Sequence, residues 1–432
     1  MRIRHKIGRP GLAAAALALT ALSAISPADA AALTLTEALQ AAARNIDVAI
    51  ASRAAAAAQA DVAAADHAPL PQLTAKLSQI DLQNGVGPGN LLRDKRIDKS
   101  VGLDWTWERG DKRGLRTEAA RRAASAAAAD VDDVRLQQML AAQAAFFDLL
   151  TAQERLADVS SIAQGAQQLA STAARREQAG DLAVQDAARA GIEAQRALAD
   201  TLSARQDVQR ARSLLALQTG LPAAGLEASG DWPAAPPDMS LAPAANWPGE
   251  LLDQRADVRA AAERVRAAEA ALEGARALRS TDVTWGASVD HYPGTSTRQV
   301  ELRLQVPLQW GYRYEGENER ARAQLDQARD QLEKTRRAAA SELQQLRDAV
   351  QAAALRSRSY GDEIVPRSRQ VLQRAETAYA KGAMPLGDLL DARRTLRATL
   401  LEALAVRAEL AKAVAAWQLR TTPIDRFLSA AP

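Results

Sequence analysis

The sequence predicts a mainly α chain with a small β part, arranged as two copies of a unit that runs helix, strand, strand, long helix, long helix. Three observations lead there. Alanine runs such as Ala54 to Ala58 and Ala126 to Ala129 supply much of a hydrophobic fraction of 47%, in which aromatics reach only 3%. Alanine favours helices that approach closely yet buries little area, so a 432-residue chain of this kind builds long, thin packing more readily than a thick core. The same order of segments stands on either side of a Pro-rich stretch, and four short segments switch from helical periodicity to alternation.

Residues 1–30 read as a secretory leader. Arg2, Arg4, Lys6 and Arg9 precede an apolar run from Leu12 to Leu22, followed by Ala28-Asp29-Ala30, with cleavage expected after Ala30. The run is shorter than the roughly 20 residues of a spanning helix. Without the leader, basic and acidic residues are equal in number, so a nucleic-acid partner has no support from charge. The chain has no Cys, which excludes disulfides, thiolate metal sites, a Cys nucleophile and an acylated cysteine anchor.

The first unit is expected over 31–221, a Pro-rich linker over 222–250, the second unit over 251–420 and a tail over 421–432. Thr34-Leu-Thr-Glu37 is a capping-box pattern that opens the first helix, which ends before Pro69 and Pro71. Asn45-Ile-Asp-Val48 is answered by Arg255-Ala-Asp-Val258, each opening an Ala/Arg-rich helical stretch. Strands are expected at about 73–83, 100–108, 283–291 and 299–308. Val101, Leu103, Trp105 and Trp107 alternate with Gly102, Asp104, Thr106 and Glu108, while Val283, Trp285, Ala287 and Val289 alternate with Thr284, Gly286, Ser288 and Asp290. Val300 to Leu308 repeats the pattern; Leu73 to Gln83 is less regular, its phase slipping midway.

Such lengths suit a tilted crossing of a bilayer within a barrel, although a half-buried soluble sheet alternates in the same way. Trp105, Trp107, Trp285, Trp310 and Trp232, with Tyr292, Tyr312 and Tyr314, are assigned to the strands or their ends, where barrels carry aromatic girdles. Four strands cannot close a barrel, and lipid forbids an open edge, so a membrane reading demands several chains. Two helical hairpins are expected at about 111–219 and 316–420, the second interrupted by Gly361 and Pro366. Each long helix can reach roughly 100 Å at 1.5 Å per residue. Met139, Phe146, Leu149 and Leu156 fall in heptad phase, as do Leu389, Leu396, Leu410 and Trp417.

Leu33-Thr-Leu-Thr-Glu-Ala-Leu39, Ala68-Pro-Leu-Pro-Gln-Leu73, Leu217-Gln-Thr-Gly-Leu-Pro222 and the duplicated order of parts resemble the TolC-type outer-membrane efflux protein family over almost the whole chain beyond the leader. Trp107-Glu-Arg-Gly-Asp-Lys-Arg113, Arg255-Ala-Asp-Val-Arg259 and Ala275-Arg-Ala-Leu-Arg279 look closest to its heavy-metal cation efflux members. The resemblance implies a homotrimer with a twelve-stranded transmembrane β-barrel in outer-membrane lipid and a long coiled-coil α-barrel across the periplasm of a Gram-negative cell. It implies a passive exit duct, fed by an inner-membrane transporter, commonly proton-driven, through a periplasmic adaptor.

The turns Ala179 to Val184 and Lys381 to Leu386 look like the hairpin tips that meet such an adaptor, with Gly180, Leu182, Gly382 and Met384 as contact residues. Asp388 and Asp391 match the family's acidic element at the periplasmic constriction; alone, two carboxylates at i and i+3 read more simply as a solvated helix start. Asp186 and Tyr379 match positions that hold the tips closed. The basic partner expected two residues after Gly382 is here Met384, and Arg175, Arg176, Arg393 and Arg394 are equal candidates to replace it. The charge run Arg93 to Lys99 reads first as a solvated loop and second as a lipopolysaccharide contact. His67 and His291 lack partners at ligand spacing, no cofactor or metal is expected, and no phosphate loop, nucleophile elbow or triad points to an enzyme. Other readings are a drug-efflux or type I protein-secretion channel, and a periplasmic coiled-coil scaffold without a pore.

Overall fold

The computed structural model describes residues 32–90, 96–234, 249–293 and 296–422; the leader, residues 91–95, residues 235–248 of the Pro-rich linker, residues 294–295 and the tail beyond 422 lie outside them. The Thr34 hydroxyl accepts from the Glu37 amide and the Glu37 carboxylate accepts from the Thr34 amide at 2.8 Å, so the capping box starts α1 (Leu35–Ala42). The first helical stretch is two helices, not one. Asn45 caps α2 (Ile46–Ala65), its Oδ1 accepting from the Ile46 amide and its Nδ2 donating to the Gln218 carbonyl at 2.7 Å. A cap that also holds a distant carbonyl outweighs helix continuity there.

Four strands form one antiparallel sheet in the order β2, β3, β5, β6: β2 is Gln72–Ser78, β3 Asp98–Trp107, β5 Val283–Tyr292 and β6 Ser296–Gln305. The first ends at Ser78 because Gln79 takes φ 59, outside the strand region. The last ends at Gln305, two residues before Pro307, rather than near 308. Register places Leu73, Leu103, Ala287 and Leu302 in one row and Trp105, Trp285 and Leu304 in another, all on one face. That face is bare: Val300 and Leu302 are 74% and 81% exposed. Opposite it lie Thr74, Gly102, Ser288 and Glu301, then Asp104, Gly286 and Arg303, whose guanidinium donates to Asp104 at 3.0 Å. Asp98 and Lys99, expected within a charged loop, open β3, and Ile97 beside them is buried.

A side chain at Gly102 meets rigid neighbours, since its Cβ would lie 2.9 Å from Ser288 Cβ and 3.1 Å from the Ala287 carbonyl. Gly102→Ala is expected to destabilise the sheet by about 1–3 kcal/mol through overpacking. A lowered heat-dissociation midpoint checks this, and Ser288→Gly in the same chain should restore part of the loss; an unchanged midpoint would show that the strands yield freely.

From the sheet the chain enters α3 (Lys112–Gln178) through Gly110 and Asp111, and α7 (Glu315–Arg358) through Gly311 and Tyr314, all four with left-handed φ. The duplicated units thus share one strand-to-helix junction. Helix α3 is 67 residues long, roughly 100 Å. It packs on α2, α4 (Val184–Thr219), α6 (Ala256–Ala277) and α9 (Leu386–Thr421). Met139, Phe146 and Leu149 of the first heptad series are buried, as are Leu389, Leu410 and Trp417 of the second.

Helix α7 continues into α8 (Val365–Ala380) through six residues of π-helix, Ser359–Ile364. Pro366 has no amide hydrogen, and its ring would clash with the preceding turn of a regular helix; the wider π turn absorbs both. No side chain of this segment is buried, and Tyr360 donates to Glu402 of α9 at 3.0 Å.

Three short elements carry no periodic signal. Ala32–Leu33 (β1) pairs in parallel with Glu227–Ala228 (β4), and Gly249–Asp253 forms α5. Trp232 lies far from the four-stranded sheet, contrary to its assignment to the aromatic girdle. It stacks on Phe147 at 5.9 Å, under the Arg407 guanidinium, and its indole donates to Glu154 at 2.6 Å. The linker is thereby pinned to the core of Phe146, Phe147, Leu149, Val208, Leu215 and Ala411. Among the described residues no helix is long and apolar enough to cross a membrane.

Candidate functional site at the hairpin tips

Both hairpins turn in the same way. After α3 the Gly180 amide donates to Glu177 and the Asp181 amide to Arg176; after α8 the Gly382 amide donates to Tyr379 and the Ala383 amide to Ala378. These are Schellman-type ends, which need a left-handed residue after the helix, and Gly180 and Gly382 supply it with φ 79 and 73. Neither Ala183 nor Pro385 caps the following helix with a side chain, leaving the first-turn amides of α4 and α9 to face acidic side chains at Asp186 and Asp388.

The two tips share one apolar core. Ala173, Ala187, Ala190, Ala375, Leu386, Leu389 and Leu390 are buried in it, with Leu182, Tyr379 and Met384 packed at its edge. Leu182 and Met384 therefore split their surface between this core and the outside, whereas Gly180 and Gly382 are exposed. Because α9 buries Leu386, Leu389 and Leu390, its opposite face presents Asp388 and Asp391, one turn apart and both exposed.

The basic residues near the tips have distinct partners. Arg176 donates to the Tyr379 hydroxyl at 3.3 Å, with its guanidinium 5.6 Å from the ring centroid, joining the end of α3 to the end of α8. Arg393 bonds Glu376 at 2.9 Å and the Gly165 carbonyl at 3.1 Å. Arg394 bonds Glu193 at 2.9 Å and Asp391 at 3.3 Å, and the hydrogen bond to Glu193 holds its guanidinium above the ordinary arginine range. Asp186 pairs with Arg189 of its own helix at 3.5 Å. The geometry thus joins Tyr379 to Arg176 rather than to Asp186. Sequence gave no means of choosing among the four arginines, since the choice depends on which hairpin ends lie side by side.

Among the described residues no group of three or more His, Asp or Glu is placed to hold a metal ion. The site offers exposed carboxylates on a helix start, a cation held by an aromatic ring and two glycine-ended turns.

Residues 247–419 match the family model described as Outer membrane efflux protein. The chain is 26% identical over 328 residues to the cobalt-zinc-cadmium resistance protein CzcC of Cupriavidus metallidurans, covering 74% of each protein. In three dimensions it resembles the solved structure of CusC with a TM-score of 0.75 at 19% identity, covering 90% of this chain and 92% of that one. The outer membrane protein VceC of Vibrio cholerae matches with a TM-score of 0.73 at 19% identity, covering 90% and 95%. The match to the outer membrane efflux protein model covers residues 247–419, and the long helices with their small antiparallel sheet share the fold of CusC and VceC. The likenesses are thus to outer-membrane efflux proteins, a class of transport proteins.

Proposed function

We propose that this chain is the exit duct for heavy-metal cations in a tripartite efflux system. Three copies join β2 of one chain to β6 of the next, closing a twelve-stranded barrel whose apolar face meets lipid, and the helices continue it as a hollow α-barrel. The observation that carries this reading is the four-stranded sheet itself, with one bare apolar face, one polar face and an open strand at each edge. An inner-membrane transporter, proton-driven, supplies energy through a periplasmic adaptor that meets the tips at Gly180, Leu182, Gly382 and Met384. The metal assignment is supported by the likeness to a cobalt-zinc-cadmium resistance protein.

In such a trimer Asp388 and Asp391 bring six carboxylates toward the pore axis, a ring that concentrates cations. Tyr379, gripped by Arg176, ties the two hairpins of one chain together, and Asp186 lies at the equivalent helix start of the first hairpin. Opening is then a movement of packed hairpins against these contacts. Arg176→Ala with Tyr379→Phe is expected to raise single-channel conductance severalfold in planar bilayers; equal conductance would remove the pair from the closing contacts.

A deletion strain tests the substrate. Hypersensitivity to zinc, cobalt or cadmium, reversed by the wild-type chain, is the expected result. Sensitivity to dyes, detergents and antibiotics instead would make it a drug-efflux duct, and a loss of protein export would make it a secretion channel.

A further inference from the structure

The strands of the sheet meet the helices at Gln72, Trp107, Val283 and Gln305, so the ends near Ser78, Asp98 and Tyr292 point away from the helical body. On the polar face at that far end, Asp290 is only 2% exposed. Its Oδ2 accepts from the Ser288 hydroxyl at 3.0 Å, but Oδ1 has no hydrogen-bond partner. A buried carboxylate with an unmet oxygen is costly unless a counter-charge or a proton reaches it.

The side chains directly opposite it, and the one opposite Ser288 on β6, carry oxygens that can ligate a cation. Ser100 on β3 and Gln299 on β6 stand directly opposite Asp290, and Glu301 stands opposite Ser288. Gly102, also opposite Ser288, lets β3 and β5 close tightly there, since a Cβ would lie 2.9 Å from Ser288 Cβ and 3.0 Å from Thr74 Oγ1. Lys76 shares the row of Asp290, but it is exposed and two strands away, about 10 Å at ordinary strand spacing.

We propose that Asp290, with Ser288, Ser100, Gln299 and Glu301, forms a subsite for a hard divalent cation of the calcium or magnesium class on the lumen wall near the outer mouth. Carboxylate, hydroxyl and amide oxygens suit such ions, whereas thiophilic metals prefer sulfur and imidazole, which this set does not contain. The subsite rests on the reading of the sheet as part of a closed barrel. It stands at the opposite end of the molecule from Asp388 and Asp391, so the two can be probed from opposite sides.

The test uses the purified full-length protein in planar bilayers, with calcium chloride added at the outer mouth. Wild-type channels should show calcium block, and Asp290→Asn should need at least tenfold more calcium, while block from the tip side is unchanged. A conducting Asp290→Asn channel blocked at the wild-type concentration would overturn the subsite and leave the barrel intact. Should Asp290→Asn fail to assemble, Ser100→Ala with Gln299→Leu keeps the carboxylate and must still weaken the block at least threefold. A wild-type protein that forms no pore would remove the barrel reading and the subsite with it.

Discussion

Replacing Asp388 and Asp391 together with Asn is expected to lower the cation preference of the channel toward unity and to weaken divalent-cation block from the tip side at least tenfold. Both side chains are exposed on the face of α9 opposite its buried leucines, so neither substitution disturbs the core. The effect is carried by charge alone. In the proposed ring, carboxylates brought closer together than the roughly 8 Å over which physiological salt screens exposed charges would add their fields. The two positions should differ. Arg394 sits 3.3 Å from Asp391 and partly neutralises it, whereas Asp388 has no ion-pair partner among the described residues of its chain. Asp388→Asn should therefore account for most of the loss, and Arg394→Gln should strengthen block. Unchanged block in the double variant, recorded in channels of normal conductance, would show that the pore is narrowed elsewhere.

The largest stability loss is expected from Phe147→Ala. Phe147 is 1% exposed, meets Phe146 edge-on at 5.4 Å and carries Trp232 on its other side. Removing a ring from such a site costs about 3–5 kcal/mol, combining lost transfer energy with the cavity left behind. The surrounding cluster joins α3, α4, α9 and the β1–β4 pair, so collapse into the space would have to move several elements at once. Trp232→Ala should cost less, because Trp232 is only half-buried. Heat-dissociation midpoints of the purified protein would measure both. A Phe147→Ala protein with the wild-type midpoint would mean that this aromatic cluster does not hold the hairpins together.

The parts legible in the sequence were those with a period. Alternation from Val101 to Trp107 and from Val283 to Val289 marks strands because one face of each is apolar, and β3 and β5 lie there. The capping box at Thr34 and the glycines at 180 and 382 are equally direct, since each residue type meets a backbone demand. What had no period was not legible. The two-residue strands β1 and β4 exist only through each other, and the π segment is a local answer to Pro366. Trp232 shows the limit of composition: an aromatic near a Pro-rich stretch suits a membrane girdle as well as a helical core, and only packing against Phe147 separates them. The acidic pair at the second tip stands out only through the family resemblance, since its spacing alone reads as a solvated helix start, and the grip of Arg176 on Tyr379 spans 203 positions of sequence and has no local signature.

In the proposed channel β2 and β6, the two open edges of the sheet, meet between copies to close a transmembrane barrel. A chain without cysteine allows a direct measurement. Leu73→Cys on β2 would be combined in turn with Val300→Cys, Leu302→Cys and Leu304→Cys on β6, and oxidised in isolated outer membranes. Edge-to-edge pairing brings Cβ atoms within the roughly 4 Å that a disulfide spans for at least one combination. A closed barrel gives a covalent trimer from that combination and none from either single substitution. Chains that stay monomeric in every combination, while fully folded in the membrane, would contradict it.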